Sequence, residues 1–259
     1  MILSQIDFFS DILDSRCMMN VILPQRKPAE LKDMVHPPFR VLYLLHGYSD
    51  DHTAWQRWTS IERYVEGLNL AVIMPAASTS FYTDLTHGGK YFTFLTEELP
   101  DIAHNLFPLS SRRTDTFVAG LSMGGYGAFK LALSCPEKYS AAASLSRALD
   151  IREVIKEHDD PNNKAWLENM RNVLGDLEKI PGGPHDLFTL AQSLSGSQVK
   201  PRLFQYCGTE DFLYADNIRF RDFIQPLGFD YTYEETPGDH TWGYWDGMIQ
   251  KVIAWFHLQ

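Results

Sequence analysis

The sequence predicts an α/β fold, a mostly parallel central sheet flanked by helices. Three observations carry that prediction. Short, near-continuous apolar runs recur, such as Arg40-Val41-Leu42-Tyr43-Leu44-Leu45 and Leu70-Ala71-Val72-Ile73-Met74. Runs of this kind mark strands covered on both faces, as parallel sheets require. Between them lie segments of helical spacing, so strand and crossover helix alternate along nearly the whole chain. The length of 259 residues, 44% of them hydrophobic and 22% charged, suits an α/β unit, and residues 1–259 are expected to form one domain.

Residues 5–9 and 17–23 read as a pair of opening strands, joined by a polar turn at Asp14-Ser15. Residues 27–38, rich in proline and charge, read as loop. The strand at 40–45 follows, then a helix over 60–68 and a buried strand at 70–74. Residues 91–107 carry a helical stripe of Leu95, Leu99, Ile102 and Leu106. Pro100 must kink or restart that helix, because it lacks an N–H and crowds the preceding turn. A strand at 114–119, a helix at 126–133 and a strand at 140–145 come next. Residues 150–197 break the rhythm. They are charged, contain Pro161 and Pro181-Gly182-Gly183-Pro184, and predict three short helices crossing the sheet as a partial cap. Their apolar content is too low for a separate core. Alternation resumes with a strand at 202–207, a helix at 215–224, a last strand at 231–233 and a closing helix over 241–257.

The formal net charge of −10 argues against nucleic acid and anionic membranes as partners, since both attract basic surfaces. Cys17, Cys135 and Cys207 are too few and too scattered for a disulfide framework or a zinc knuckle, and read as free thiols. The first residues lack a basic segment ahead of an apolar stretch, and no membrane-length apolar run follows, so a cytoplasmic location is expected.

Chemistry enters at Gly120-Leu121-Ser122-Met123-Gly124, a G-x-S-x-G pattern between a β-type run and a helical segment. A serine becomes a useful nucleophile when a sharp strand-to-helix turn exposes it beside a base, and flanking glycines allow that turn. Ser122 is therefore the candidate nucleophile. The base and acid follow it in such folds, in the order serine, acid, histidine. Four histidines lie downstream: His158 in a charged run, His185 after Pro184, His257 near the end of the closing helix, and His240. Only His240 falls in a loop leaving a strand, within Pro237-Gly238-Asp239-His240-Thr241-Trp242, where it can enter a site at the sheet edge. Asp211 ends the penultimate strand through Gly208-Thr209-Glu210-Asp211 and is the candidate acid, in competition with Glu210, Asp216 and Asp239. Asp239 adjoins the histidine, so its side chain should point away.

An oxyanion needs two convergent donors. The N–H after the nucleophile, at Met123, is one; the loop Leu45-His46-Gly47-Tyr48-Ser49 supplies the other, at Tyr48. Gly47 permits close backbone approach. His46 invites a base role but is read as a support for the loop. Trp55, Tyr82 and Trp242 stand out among the nearby aromatics as candidate pocket walls. Asp50-Asp51-His52 is read as a polar loop and not a metal site; no phosphate loop, nicotinamide fingerprint or metal-spaced cluster is present, and no cofactor is expected.

Leu44-Leu45-His46-Gly47, Thr96-Glu97-Glu98-Leu99-Pro100, the elbow Gly120 to Gly127, Gly208-Thr209-Glu210-Asp211 and Gly238-Asp239-His240 together resemble the esterase D and S-formylglutathione hydrolase group of α/β-hydrolases. Within that group the chain is most similar to bacterial tributyrin esterases, on Ser4 to Ser10, Phe81-Tyr82-Thr83-Asp84 and Phe212-Leu213-Tyr214. The resemblance implies an α/β-hydrolase fold, a Ser122–Asp211–His240 triad, Tyr48 and Met123 as oxyanion donors, and action on short acyl esters. Two departures stand out. S-formylglutathione hydrolases usually carry a cysteine just after the oxyanion-loop glycine, and Tyr48-Ser49-Asp50-Asp51 has none. Arg147 follows Ser146 where relatives tend to have glycine, placing a cation at the presumed rim of the pocket or in a local pair with an acid such as Asp150. The expected function is a serine carboxylesterase acting on a small-molecule ester, with homo-oligomerisation open. A thioesterase or acyltransferase shares the same machinery, and a non-catalytic binding protein would not require all three triad residues.

Overall fold

The computed structural model describes residues 1–26, 36–146, 150–157 and 163–258. Eight strands form one sheet: β1 (Ile2–Ser10), β2 (Ser15–Leu23), β3 (Arg40–Leu45), β4 (Leu70–Pro75), β5 (Thr116–Leu121), β6 (Ala141–Leu145), β7 (Arg202–Gly208) and β8 (Tyr231–Thr236). Their spatial order is β1-β2-β4-β3-β5-β6-β7-β8. The opening hairpin is antiparallel, β2 runs antiparallel to β4, and every later pair is parallel. Asp14 makes the hairpin turn at φ 47°, a left-handed conformation that aspartate tolerates.

β3 has β4 on one side and β5 on the other, so the winding reverses there. Reversal leaves a crevice at the carboxyl ends of the strands, where ligands bind in open α/β sheets. Register brings those ends level: Leu45 lies opposite Gly120, and Leu121 opposite Leu145. Successive residues of each strand then face opposite layers. Val41, Tyr43, Leu45 and Val118 pack on the side of the helix Met123–Ser134. Leu42, Leu44, Phe117, Ala119 and Leu121 pack on the side of the helix Trp242–Trp255.

Residues 150–197 form the helices Ile151–Glu157, Lys164–Leu174 and Leu187–Ser193, with a 3-10 turn at Leu177–Lys179. Their apolar side chains, among them Leu167, Met170, Val173 and Leu187, join the main core. The elbow helix beneath them is consequently buried on every side.

One helix differs from expectation. The helix expected over 60–68 shortens to Ile61–Tyr64, preceded by an unforeseen helix Ala54–Trp58, because Gly67 at φ 82° turns the chain into β4. Pro100 stands where the helix restarts, as expected, in the first turn of an α-helical segment. Tyr91–Thr93 leads into a wider π-helical stretch, Phe94–Glu98, and then into Leu99–Leu106. Pro100 has no N–H to offer the Thr96 carbonyl one turn back; Lys138 Nζ donates to that oxygen instead, at 2.6 Å. Among the described residues no helix is long and apolar enough to cross a membrane.

Candidate active site

Ser122 sits between β5 and its helix at φ 50°, ψ −120°, with its N–H bonded to the Leu145 carbonyl at 2.8 Å. A side chain held at positive φ costs on the order of 1–3 kcal/mol, which the surrounding packing must offset. Glycines make the turn possible. A Cβ on Gly120 would lie 2.4 Å from the Gly124 backbone, and one on Gly124 only 2.5 Å from the Leu45 carbonyl oxygen.

The loops after β7 and β8 complete a hydrogen-bonded chain. His240 Nε2 lies 3.1 Å from Ser122 Oγ, and His240 Nδ1 lies 2.9 Å and 3.1 Å from the two Asp211 oxygens. A carboxylate at Nδ1 requires the proton there, which leaves Nε2 as acceptor for the serine hydroxyl. Burial tends to raise the Asp211 pKa, yet the carboxyl is held below its usual value by His240 and by the Leu213 N–H at 2.9 Å. The competing acids are engaged elsewhere. Asp216 pairs with Arg219, Asp239 accepts from Thr241 Oγ1 at 2.7 Å, and Glu210 is exposed. Of the other histidines, His185 Nδ1 lies 2.9 Å from Lys130 Nζ, His257 is exposed, and His158 is outside the described residues. The imidazole of His240 is held between Phe212 and Trp245, with ring centroids at 4.6 and 4.8 Å.

The Gly47 loop passes against the serine: a Cβ on Gly47 would stand 3.8 Å from Ser122 Cβ. Among the described residues neither the Tyr48 nor the Met123 N–H donates a hydrogen bond, so both are available beside Ser122. His46 supports this loop. Its Nδ1 donates to the Gly47 carbonyl at 2.8 Å and its Nε2 accepts from the Ala77 N–H at 3.0 Å, a neutral ring whose pKa burial lowers.

Trp55 and Tyr82, expected as pocket walls, are placed differently. They are 1% and 0% exposed, and they clamp the backbone behind the oxyanion loop. Trp55 Nε1 donates to the Leu45 carbonyl and Tyr82 Oη to the His46 carbonyl, each at 2.8 Å. An indole or phenol buried this deeply needs such an acceptor, and a strand end about to turn offers one. Trp242 is half-buried and packs edge-on against both Trp55 and Trp245, at 5.3 and 5.4 Å. Arg147 lies outside the described residues.

Two contacts escaped sequence reasoning. Asn169 Nδ2, on the overlying helix Lys164–Leu174, donates to Tyr48 Oη at 3.0 Å. One turn earlier, Trp166 packs on Leu213 beside the acid. That helix therefore touches both the oxyanion loop and the acid loop. Phe212, 69% exposed against His240, carried no local signal beyond its apolar character.

The Asp50-Asp51-His52 stretch holds no metal cluster; among the described residues none exists. Asp51 instead accepts from Thr53 N and Oγ1, at 2.8 and 2.6 Å.

A parallel sheet, a serine on a strained elbow and a histidine bonded to a buried carboxylate define an α/β-hydrolase of the serine hydrolase class. Residues 10–256 match the Esterase family, described as "Putative esterase", and the chain belongs to it. It is 33% identical over 260 residues to an acetyl esterase of Caldicellulosiruptor saccharolyticus, covering 98% of each chain. Among solved structures, FphF, a fluorophosphonate-binding serine hydrolase of Staphylococcus aureus, superposes with a TM-score of 0.89 at 35% identity, covering 98% of each chain. The S-formylglutathione hydrolase FrmB of the same organism gives 0.85 at 34% identity, covering 99% of each. The protein is a carboxylic ester hydrolase.

Proposed function

We propose that the protein hydrolyses short-chain carboxylic esters through an acyl-enzyme on Ser122. The observation that carries this reading is the unbroken chain Ser122–His240–Asp211 at hydrogen-bond distances. His240 Nε2 takes the Ser122 proton as Oγ bonds to the ester carbonyl carbon. The resulting oxyanion is held by the Tyr48 and Met123 N–H groups. The C–O bond to the alcohol breaks, with the proton on His240 passing to the departing oxygen. Water, deprotonated by the same ring, then releases the acid and frees the serine. Asp211 keeps the imidazole in one tautomer and stabilises its charged form. None of these steps draws on a cofactor.

Short acyl chains are proposed because residues 150–197 turn their apolar side chains into the core and leave little to sheath a long chain. A second reading, hydrolysis of S-formylglutathione, is favoured by the likeness to FrmB. The missing cysteine after Gly47 speaks against it. A fluorophosphonate probe should label the wild type and not Ser122→Ala. That variant should fold yet lose at least about a thousandfold in turnover, because the covalent route is gone. Labelling or near-normal turnover of Ser122→Ala would overturn the mechanism. Comparing kcat/KM for phenyl acetate and S-formylglutathione separates the two substrate readings.

A further inference from the structure

A second concavity opens at the opposite edge of the sheet, where β5 begins and not where it delivers Ser122. Its volume is about 410 Å³, within the range of small-molecule sites. Tyr43 from β3 and Tyr139, just ahead of β6, line it and meet edge to face at 6.3 Å. These rings are 4% and 2% exposed. Even so, neither hydroxyl finds a hydrogen-bond partner among the described residues. Both side chains are otherwise buried on a cavity they line, so their unpaired hydroxyls are free to bond a molecule held there.

The charges around the cavity decide what that partner is. Its cations are already occupied by backbone carbonyls. Lys138 Nζ donates to Thr96 O at 2.6 Å, and Arg113 donates to Pro136 O and Lys200 O at 2.7 and 2.8 Å. His104 Nδ1 lies 2.7 Å from Pro100 O. The three carboxylates on the same walls, Glu97, Asp101 and Glu137, make no ion pair or hydrogen bond among the described residues. Burial first, and then the Asp101 charge, push the Tyr43 phenol pKa up, so that hydroxyl stays neutral and the carboxylate lies close to it. What remains open is a set of acceptors around two aromatic rings.

We propose that this cavity is a second ligand site, distinct from the Ser122 site, for a small aliphatic di- or triamine. Ammonium groups would donate to Asp101, Glu97 and Glu137 and to the two phenol oxygens. The methylene chain would run through the cavity between the carboxylates, past the hydroxyl ends of the two phenols. An anion would meet three unpaired carboxylates and is excluded on the same ground.

Spermidine titrated calorimetrically into the intact protein at low salt tests the proposal. One saturable site is expected, weakened at least about tenfold by Tyr43→Phe combined with Tyr139→Phe, the worth of a hydrogen bond to a charged group. Asp101→Asn should weaken it at least as much, whereas Glu66→Gln, on a separate exposed face, should leave the affinity unchanged. Fluorophosphonate labelling should proceed equally with and without spermidine. Absence of saturation at millimolar spermidine would overturn the proposal. So would equal weakening by Glu66→Gln, tighter binding of inorganic phosphate, or competition with labelling.

Discussion

At the scale of single residues, the acid is the most discriminating position, because three other acidic side chains stand within a few residues of it or of the histidine. Asp211 alone bonds His240 Nδ1, while Asp216 and Asp239 bond Arg219 and Thr241. Asp211→Asn should therefore lower kcat by roughly a hundred- to ten-thousandfold through the wrong imidazole tautomer. Asp216→Asn and Asp239→Asn should stay within about tenfold of wild type in the same assay, since neither touches the ring. Because the folded Asp211 carboxyl titrates below its ordinary value, its stabilising contribution is complete above the unfolded carboxylate range. It fades as pH falls through the lower folded value. That Ser122, His240 and Asp211 come together was legible in the sequence because each follows a strand with a local signature. Trp55 and Tyr82 were not, since an aromatic residue near a site reads alike whether it walls the pocket or clamps the backbone behind it. Asn169 and Phe212 reach Tyr48 and His240 from far along the chain, and no spacing rule connects such positions.

At the scale of elements, the buried strands were legible for a simple reason: a strand covered on both faces has no polar positions to blur its limits. Helices set by tertiary partners were less so: the one expected over 60–68 is replaced by Ala54–Trp58 and Ile61–Tyr64. The elbow helix Met123–Ser134 carries a further consequence of being enclosed on every side. Lys130 lies on it, 3% exposed, with Nζ 2.9 Å from His185 Nδ1 and near the Phe92 and Tyr126 rings at 5.5 and 6.0 Å. Burial lowers its pKa from 10.5 to about 7, against a raising effect of Asp84. Between those values the unfolded chain binds more protons than the folded one, so stability rises with pH across that window. Lys130→Met should abolish this rise. The variant's stability relative to wild type should be greatest near pH 6.5 and should fall toward pH 9.5, by an amount on the order of a few kcal/mol. Thermal melts of both proteins at the two pH values check it; a difference independent of pH would contradict the titration.

At the scale of the whole molecule, the helices over the sheet tie together loops that flank Ser122. Lys164–Leu174 holds the oxyanion loop through Asn169 and the acid loop through Trp166, with its apolar face turned to the core. Efficiency on p-nitrophenyl esters should peak between acetate and butyrate. An apolar tunnel would instead add about 0.8 kcal/mol per methylene, so kcat/KM rising through octanoate to palmitate would refute the short-chain reading. The sequence announced the partial cap by its broken rhythm but not what it would touch, because those contacts join loops set by the sheet's winding order. That order also distributes the machinery unevenly. The proposed nucleophile, Ser122, follows a central strand, and the proposed base, His240, hangs from the loop after β8, which closes the sheet at its edge. β8 has no fully buried residue, unlike the central strands. Opening free energies are lowest at such margins and approach the global value only in the core. The enzyme should therefore have an early-failing part. In a urea titration, turnover should vanish at a lower concentration than the far-ultraviolet signal of the sheet. Hydrogen exchange should find the amides of β8 unprotected while those of β5 remain closed. An otherwise intact fold that has let go of its last strand would keep its serine and lose its base.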